Sequence, residues 1–128
     1  IAPGKRMLSS MTPLFAYDGD KVLIAGTPGG SRIISMLALA LLDFQAGASS
    51  QEIVSGRRFH HQYLPDQLQF ELHALSSAEK HILTQKGHTL KEIQRHYGNM
   101  QVIVWDRKQQ TVSAASDPRG EGLARTSP

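Results

Sequence analysis

The chain has 128 residues, 40% of them apolar and 20% charged, a size and composition suited to one modest globular domain rather than a disordered tail. Its formal charge of +3 is spread evenly, +2 over residues 1–64 and +1 over residues 65–128, so no basic block recommends nucleic acid or an anionic membrane as partner. Cysteine is absent, which excludes disulfides, thiolate catalysis and Cys-based metal or iron–sulfur sites.

Neither Met nor a signal peptide opens the chain, and residue 1 is expected to be a processing boundary. Leu14 to Tyr17 and Lys21 to Ala25 flank Asp18-Gly19-Asp20 and predict a β-hairpin, because such turns need a residue that tolerates positive φ. The second strand runs into Gly26-Thr27-Pro28-Gly29-Gly30, which breaks any regular element. Ser31 then precedes a helix from Ile33 to Phe44, closed by Gly47. Broken by Ser35 and Asp43, this apolar run is too short to span a bilayer. Its apolar side chains point in nearly every helical direction, predicting a helix enclosed by other elements.

Two capping boxes, Ser49 with Glu52 and Ser76 with Glu79, open shorter helices ending at Gly56 and Gly87. Between them, Gln67 to Leu72 alternates polar and apolar, as a half-buried strand does. Met100 to Trp105 and Thr111 to Ser116 predict a second hairpin, and residues from Gly120 onward read as a flexible tail, 120–128. The order of elements predicts an α+β fold with a mostly antiparallel sheet, in a single domain over 1–128.

The stretch Gly26 to Arg32 carries the strongest chemical signal. Two adjacent glycines at a helix start can turn backbone N–H groups outward, where they and the helix dipole suit an oxyanion, carboxylate or phosphate. An ordinary strand-to-helix turn is the alternative reading of the same residues. The Gly-Lys-Ser/Thr ending of a Walker A loop is absent, and the dinucleotide fingerprint does not fit. Ser9 and Ser10 could hold a carboxylate through paired hydroxyls, or serve simple turn chemistry. No Gly-x-Ser-x-Gly elbow marks either as a nucleophile. Six histidines lack the His-Glu-x-x-His pattern, so structural or surface roles are favoured over a metal site. Arg57-Arg58-Phe59 resembles a phosphate contact only loosely and suits packing and ion pairing better, and Asp117-Pro118-Arg119 suits a bidentate ion pair that fixes the chain end.

Four blocks, in order along the chain, resemble the C-terminal part of the small subunit of γ-glutamyltransferases (γ-glutamyltranspeptidases). They are Gly4-Lys5-Arg6-Met7-Leu8-Ser9-Ser10-Met11, Gly26-Thr27-Pro28-Gly29-Gly30-Ser31-Arg32-Ile33-Ile34, Arg58-Phe59-His60-His61-Gln62-Tyr63-Leu64-Pro65-Asp66 and Ala115-Ser116-Asp117-Pro118-Arg119. The resemblance implies part of an αββα N-terminal nucleophile hydrolase sandwich. It implies a precursor that cleaves itself and frees a Thr, which takes the γ-glutamyl group of glutathione and passes it to water or an amino-acid acceptor. That Thr is expected upstream of Ile1. So is the acidic residue that holds the substrate's α-amino group, while an Arg is expected from the large subunit.

Carried over by position, Ser9 and Ser10 correspond to the pair that binds the substrate's α-carboxylate, and Gly29 and Gly30 to the oxyanion hole. Met7 stands where Pro is common, Gly56-Arg57 where Ala-Pro is usual, and the loop ahead of the glycines is one residue short. The resemblance implies no cofactor and no metal, partnership with a large subunit and the rest of the small subunit, and a periplasmic or secreted location. In the chain by itself, the apolar face of the helix around Ile33 to Phe44 or the edge of the sheet, which would otherwise meet those partners, is expected to be covered by a second copy. The alternative is a non-catalytic anion-binding or structural module of a degenerate homologue.

Overall fold

The computed structural model describes residues 2–127. Strand β1 (Leu14–Asp18) turns through Gly19 and Asp20 into β2 (Lys21–Gly26). Gly19 has φ +57°, at the first loop position, where type II′ hairpins take glycine. A 3-10 turn (Gly30–Arg32) leads into helix α1 (Ile33–Gln45), and α2 (Ser50–Ser55) follows. Then come β3 (Phe59–His60), β4 (Leu68–Glu71), α3 (Ser77–Gln85), β5 (Leu90–Ile93), β6 (Gln101–Asp106) and β7 (Thr111–Ser116).

Both hairpins form where the turn chemistry places them. They are joined by antiparallel pairing of β2 with β6, giving a four-stranded sheet of order β1-β2-β6-β7. A second sheet, β3-β4-β5, combines an antiparallel pair with a parallel one, whose crossover is α3. The α+β class is as expected. Two short strands, β3 and β5, and the division into two sheets were not predicted.

Both capping boxes are complete. Ser49 Oγ accepts from Glu52 N at 3.3 Å while Ser49 N donates to the Glu52 carboxylate at 2.7 Å. Ser76 and Glu79 repeat the arrangement at 3.2 and 2.7 Å. Together these bonds satisfy two otherwise free donors at each helix start.

Leu23, Ala25, Val102 and Ala115 form the inner face of the larger sheet, packed against Met36, Leu37, Ala40 and Phe44 of α1 and Ile53 and Val54 of α2. Leu68, Phe70, Ala74 and Leu75 make a smaller core beside the second sheet.

The predicted enclosure of α1 does not hold within the described residues. Ile34, Ala38 and Leu42, four residues apart, form a stripe facing away from the sheet, and Ile34 is 61% exposed. The outer face of the larger sheet is also bare and apolar. Phe15 and Ile103 share one cross-strand row with Ile24, and Tyr17, Trp105 and Val112 share the next with Val22. One helical layer and one principal sheet layer are thus built, with apolar surface left on both outer sides.

Nor is β4 half-buried as its alternation predicts. As the central strand of its sheet it turns Glu71 inward, where ion pairs compensate the buried carboxylate. Residues 121–127 form no helix or strand, and Leu123 to Arg125 run beside Phe15, Ile24, Ile103 and Ala114 on the outer sheet face.

Candidate functional site: a glycine turn between two sheets

The glycine turn begins where β2 ends. Gly29 has φ 157° and ψ 4°, and Gly30 has φ +58°, a left-handed conformation that a β-branched residue resists. The carbonyls of these residues face the helix: Gly29 O accepts from Arg32 N at 3.2 Å, and Gly30 O accepts from Ile33 N. Their own N–H groups donate to no acceptor of the chain among the described residues. Gly30 is exposed and Gly29 half-buried. Two free amides at the positive end of a 13-residue helix make a place for negative charge.

The floor of the turn is tightly packed. A Cβ on Gly29 would lie 2.5 Å from Met36 Cε. Thr27 Oγ1, which donates to Pro28 O at 2.9 Å, also accepts from Asn99 N at 3.2 Å. Gly98, at φ +79°, comes so close that a Cβ there would meet Met36 Sδ at 2.6 Å, Arg58 Nη1 at 2.9 Å and Thr27 Oγ1 at 3.0 Å. The segment Tyr97-Gly98-Asn99 therefore wedges the turn from below.

Behind that wedge lies a buried ionic network. Asp117, fully shielded from water, accepts from Arg58 Nη2, from Met100 N at 2.9 Å and from Arg119 N at 3.0 Å. Arg58 also donates to Tyr97 O, and Arg119 Nε donates to Glu71 at 2.9 Å. Glu71 in turn accepts from Tyr97 N at 3.1 Å. Burial pushes the Asp117 carboxyl up, but the Met100 and Arg119 amides and the Arg58 guanidinium outweigh it, leaving the group below the usual carboxylate range. Burial, reinforced by the Glu71 carboxylate, pushes the Tyr97 phenol up to about 12, so it stays neutral. Ion pairing is thus what Arg58, Asp117 and Arg119 do, but as one clasp that also takes in Glu71, rather than as a separate bidentate pair of Asp117 with Arg119.

The second sheet grips the first turn of α1 from the other side. Ser35 Oγ lies 2.8 Å from His60 Nδ1, and His60 Nε2 lies 2.8 Å from Gln62 Oε1. Because the Gln62 amide nitrogen donates to Leu64 O, its oxygen faces the imidazole and Nε2 carries the proton, while the Ser35 hydroxyl, within reach of His60 Nδ1, also donates to Arg32 O at 3.1 Å. Arg32 reaches Gln69 through Nη2 and stacks 5.3 Å from the Tyr97 ring centre. His60, the last residue of β3, is buried, and His61 just beyond it is exposed. No group of three or more His, Asp or Glu among the described residues is placed to hold a metal ion.

Ser9 and Ser10 lie on the irregular stretch ahead of β1. Ser9 Oγ accepts from Met11 N at 3.4 Å, and Ser10 O accepts from Thr12 Oγ1 at 2.9 Å, which is local turn chemistry. No hydrogen bond joins either serine to the glycine turn among the described residues. Topology nevertheless sends both segments off the same end of the sheet. Leu14 pairs with Ala25, so the chain before Leu14 and the chain after Ala25 leave the β1–β2 pair on one side.

Sequence reasoning named Thr27 only as part of the turn and missed the support that Ser35, Glu71 and Gly98 give it. Of these only Gly98 carried a local signal, as a turn residue just ahead of a predicted strand.

The gamma-glutamyltranspeptidase family model matches residues 1–127. A glutathione hydrolase proenzyme from Pseudomonas aeruginosa is 39% identical over 127 residues, covering 96% of this chain and 22% of that protein. The gamma-glutamyltranspeptidase of Pseudomonas nitroreducens, solved in complex with L-DON, superimposes with a TM-score of 0.83 at 35% identity, over 100% of this chain and 67% of that one. A mutant of the Helicobacter pylori gamma-glutamyltranspeptidase gives a TM-score of 0.83 at 33% identity, over 94% and 66%. The chain thus spans about a fifth of the length of that curated relative.

Proposed function

The chain belongs to the gamma-glutamyltranspeptidase family, and on that footing we propose that it forms the oxyanion-binding and carboxylate-binding part of an enzyme that transfers or hydrolyses γ-glutamyl groups, glutathione among them. In this reading an N-terminal Thr, outside these residues, attacks the γ-carbonyl with its own α-amine as base. The carbonyl oxygen takes up negative charge as the tetrahedral intermediate forms. The Gly29 and Gly30 amides meet that charge, and Ser9 and Ser10 hold the α-carboxylate. Water or an amino acid then releases the acyl group. The rest of the small subunit and the large subunit cover the bare faces of α1 and of the larger sheet, completing an αββα sandwich. The protein works in the periplasm or outside the cell.

The observation that carries this reading is the pair of amides with no acceptor among the described residues, held at the start of α1. Donors fixed in advance cost nothing to reorient when charge develops, and losing one typically slows turnover by about 10²–10³. Gly30→Val tests it in the complete enzyme. A Cβ at Gly30 meets nothing within 4 Å, so the core is spared, but φ +58° forces the β-branched residue to rotate the peptide. Turnover of γ-glutamyl-p-nitroanilide is expected to fall at least a hundredfold, far beyond what the strain of about 1–3 kcal/mol at this position takes from the melting temperature; full activity in this variant removes the oxyanion assignment. Ser10→Ala is expected to raise the donor KM about tenfold. Residues 1–128 alone are expected to show no turnover.

A further inference from the structure

A cleft of about 500 Å³ opens between the start of α1 and the free edge of β5, and its charges are unbalanced. Arg32, Lys91 and Arg95 line it together with Gln69 and Glu92. Glu92 is taken by Lys80 at 2.9 Å, while none of the three cations is paired with a carboxylate among the described residues. Sheet register explains why they converge. Gln69 of β4 lies directly opposite Lys91 of β5, so both share one face of the sheet, and Arg32 comes down from α1 to bond Gln69. Tyr97 and the neutral Gln69 oxygen orient the Arg32 guanidinium without neutralising it, and its Nε is out of water with no acceptor. Fixed, uncompensated cations of this kind raise the local concentration of anions, and a guanidinium held in place matches a carboxylate.

From this geometry we infer that the cleft is the subsite for the free C-terminal carboxylate of a short peptide, either the leaving peptide of a γ-glutamyl donor or the incoming acceptor. The inference rests on the proposed function of the glycine turn. Arg32 links the two places: its backbone N–H donates to Gly29 O at 3.2 Å and its guanidinium enters the cleft. The turn and the cleft are therefore one arginine side chain apart, and an extended dipeptide spans roughly 7 Å. A peptide suits the cleft better than inorganic phosphate because β5 pairs with β4 on one side only. The open edge of β5 offers backbone groups to an extended chain, and the cations then receive its terminus.

The test compares glycylglycine with glycylglycine amide, in the complete enzyme and in its Lys91→Gln/Arg95→Gln variant. Both replaced residues are exposed, so the fold is retained. The wild type is expected to prefer the acid as acceptor, and the variant to lose about tenfold of that preference, through the acceptor KM. Calorimetric titration of the same two ligands reads the cleft without turnover, and there the acid alone is expected to bind, with weaker binding in the variant. Equal binding of acid and amide by the wild type overturns the inference, as does a preference that survives the double substitution. A rise in the KM for γ-glutamyl-p-nitroanilide, whose leaving group carries no carboxylate, with an unchanged acceptor KM also overturns it, assigning the cleft to the γ-glutamyl group's own carboxylate. If the enzyme turns over no γ-glutamyl donor, the proposed function fails, while the calorimetric comparison still decides the cleft.

Discussion

Replacing Asp117 by Ala isolates the energetic weight of the clasp behind the glycine turn. Asp117 is 1% exposed and its partner Arg58 3%, so the substitution leaves a guanidinium buried with only the carbonyls of Tyr97 and Val54 as acceptors. Breaking one side of a buried ion pair typically costs about 3–5 kcal/mol. At an unfolding entropy of about 2 cal/mol/K per residue, that loss corresponds to a drop of about 10–20 °C in melting temperature for a chain of this length. Asp117→Asn keeps an acceptor for the Met100 and Arg119 amides but removes the charge, so it should lose most of the same stability. The double variant Arg58→Met/Asp117→Leu removes both charges and should recover part of the loss. It stays roughly 1–3 kcal/mol below wild type, the cost of carbonyls left without their donor. Thermal and urea melts of the three variants decide the matter. An Asp117→Asn protein within about 1 kcal/mol of wild type refutes the charge argument and leaves Asp117 as a mere backbone acceptor. The pH dependence has a definite sign. The folded carboxyl is held below its unfolded value, so its contribution is complete above about pH 4 and is lost as pH falls through the folded value. Asp117→Asn should flatten that acid limb.

Gly98→Ala should destabilise the protein by about 1–3 kcal/mol, since the new methyl overlaps Met36, Arg58 and Thr27 at a left-handed position. If it acts through the turn, its donor turnover falls further than its melting temperature explains. Ser76→Ala should cost about 1 kcal/mol through loss of the α3 cap, read by urea melts. The Glu79 carboxyl is held at about 2, first by the Ser76 amide and then by its hydroxyl and Arg57. The first turn of α3 should therefore keep its hydrogen-exchange protection above the ordinary glutamate value of 4.5 and lose it as pH falls toward 2.

Where local chemistry decides an element, the residues announced it. Gly19, the two Ser-Glu capping boxes and Gly47 each act within a few positions of themselves, and each stands where it was expected. The candidate anion turn was legible for the same reason, because Gly29-Gly30 between a strand and an apolar run needs no distant partner to be recognised. Elements made by distant pairing were not legible. Phe59-His60 is a strand only because it meets Phe70 and Gln69, and Leu90 to Ile93 only because it lies alongside Leu68 to Glu71. The periodicity of Gln67 to Leu72 misled because alternation reports a water-facing side, whereas Glu71 points at Arg119. The apolar helix misled in the opposite direction. Hydrophobicity all round α1 predicts cover all round, and the described residues supply it on the sheet side alone.

The start of α1 is where the two sheets meet, and this decides what the glycine turn can do. From the larger sheet, β2 delivers the glycines, and Asn99, just ahead of β6, fixes Thr27. From the smaller sheet, His60 holds Ser35 and Gln69 holds Arg32, both in the first helical turns. The clasp of Arg58, Asp117, Arg119 and Glu71 then ties β4, α2 and the segment after β7 to Tyr97, whose successor Gly98 supports Thr27. A shift of either sheet would tilt the amides of Gly29 and Gly30, and in the proposed function donors tilted away from a developing oxyanion would lose most of their worth. So much buried charge in a chain this small makes sense as a device for alignment rather than for stability. Apolar residues in the same space would give up only about 1–3 kcal/mol, much less than a broken pair, but they would not fix the direction of a carbonyl and two amides at Tyr97, Met100 and Arg119.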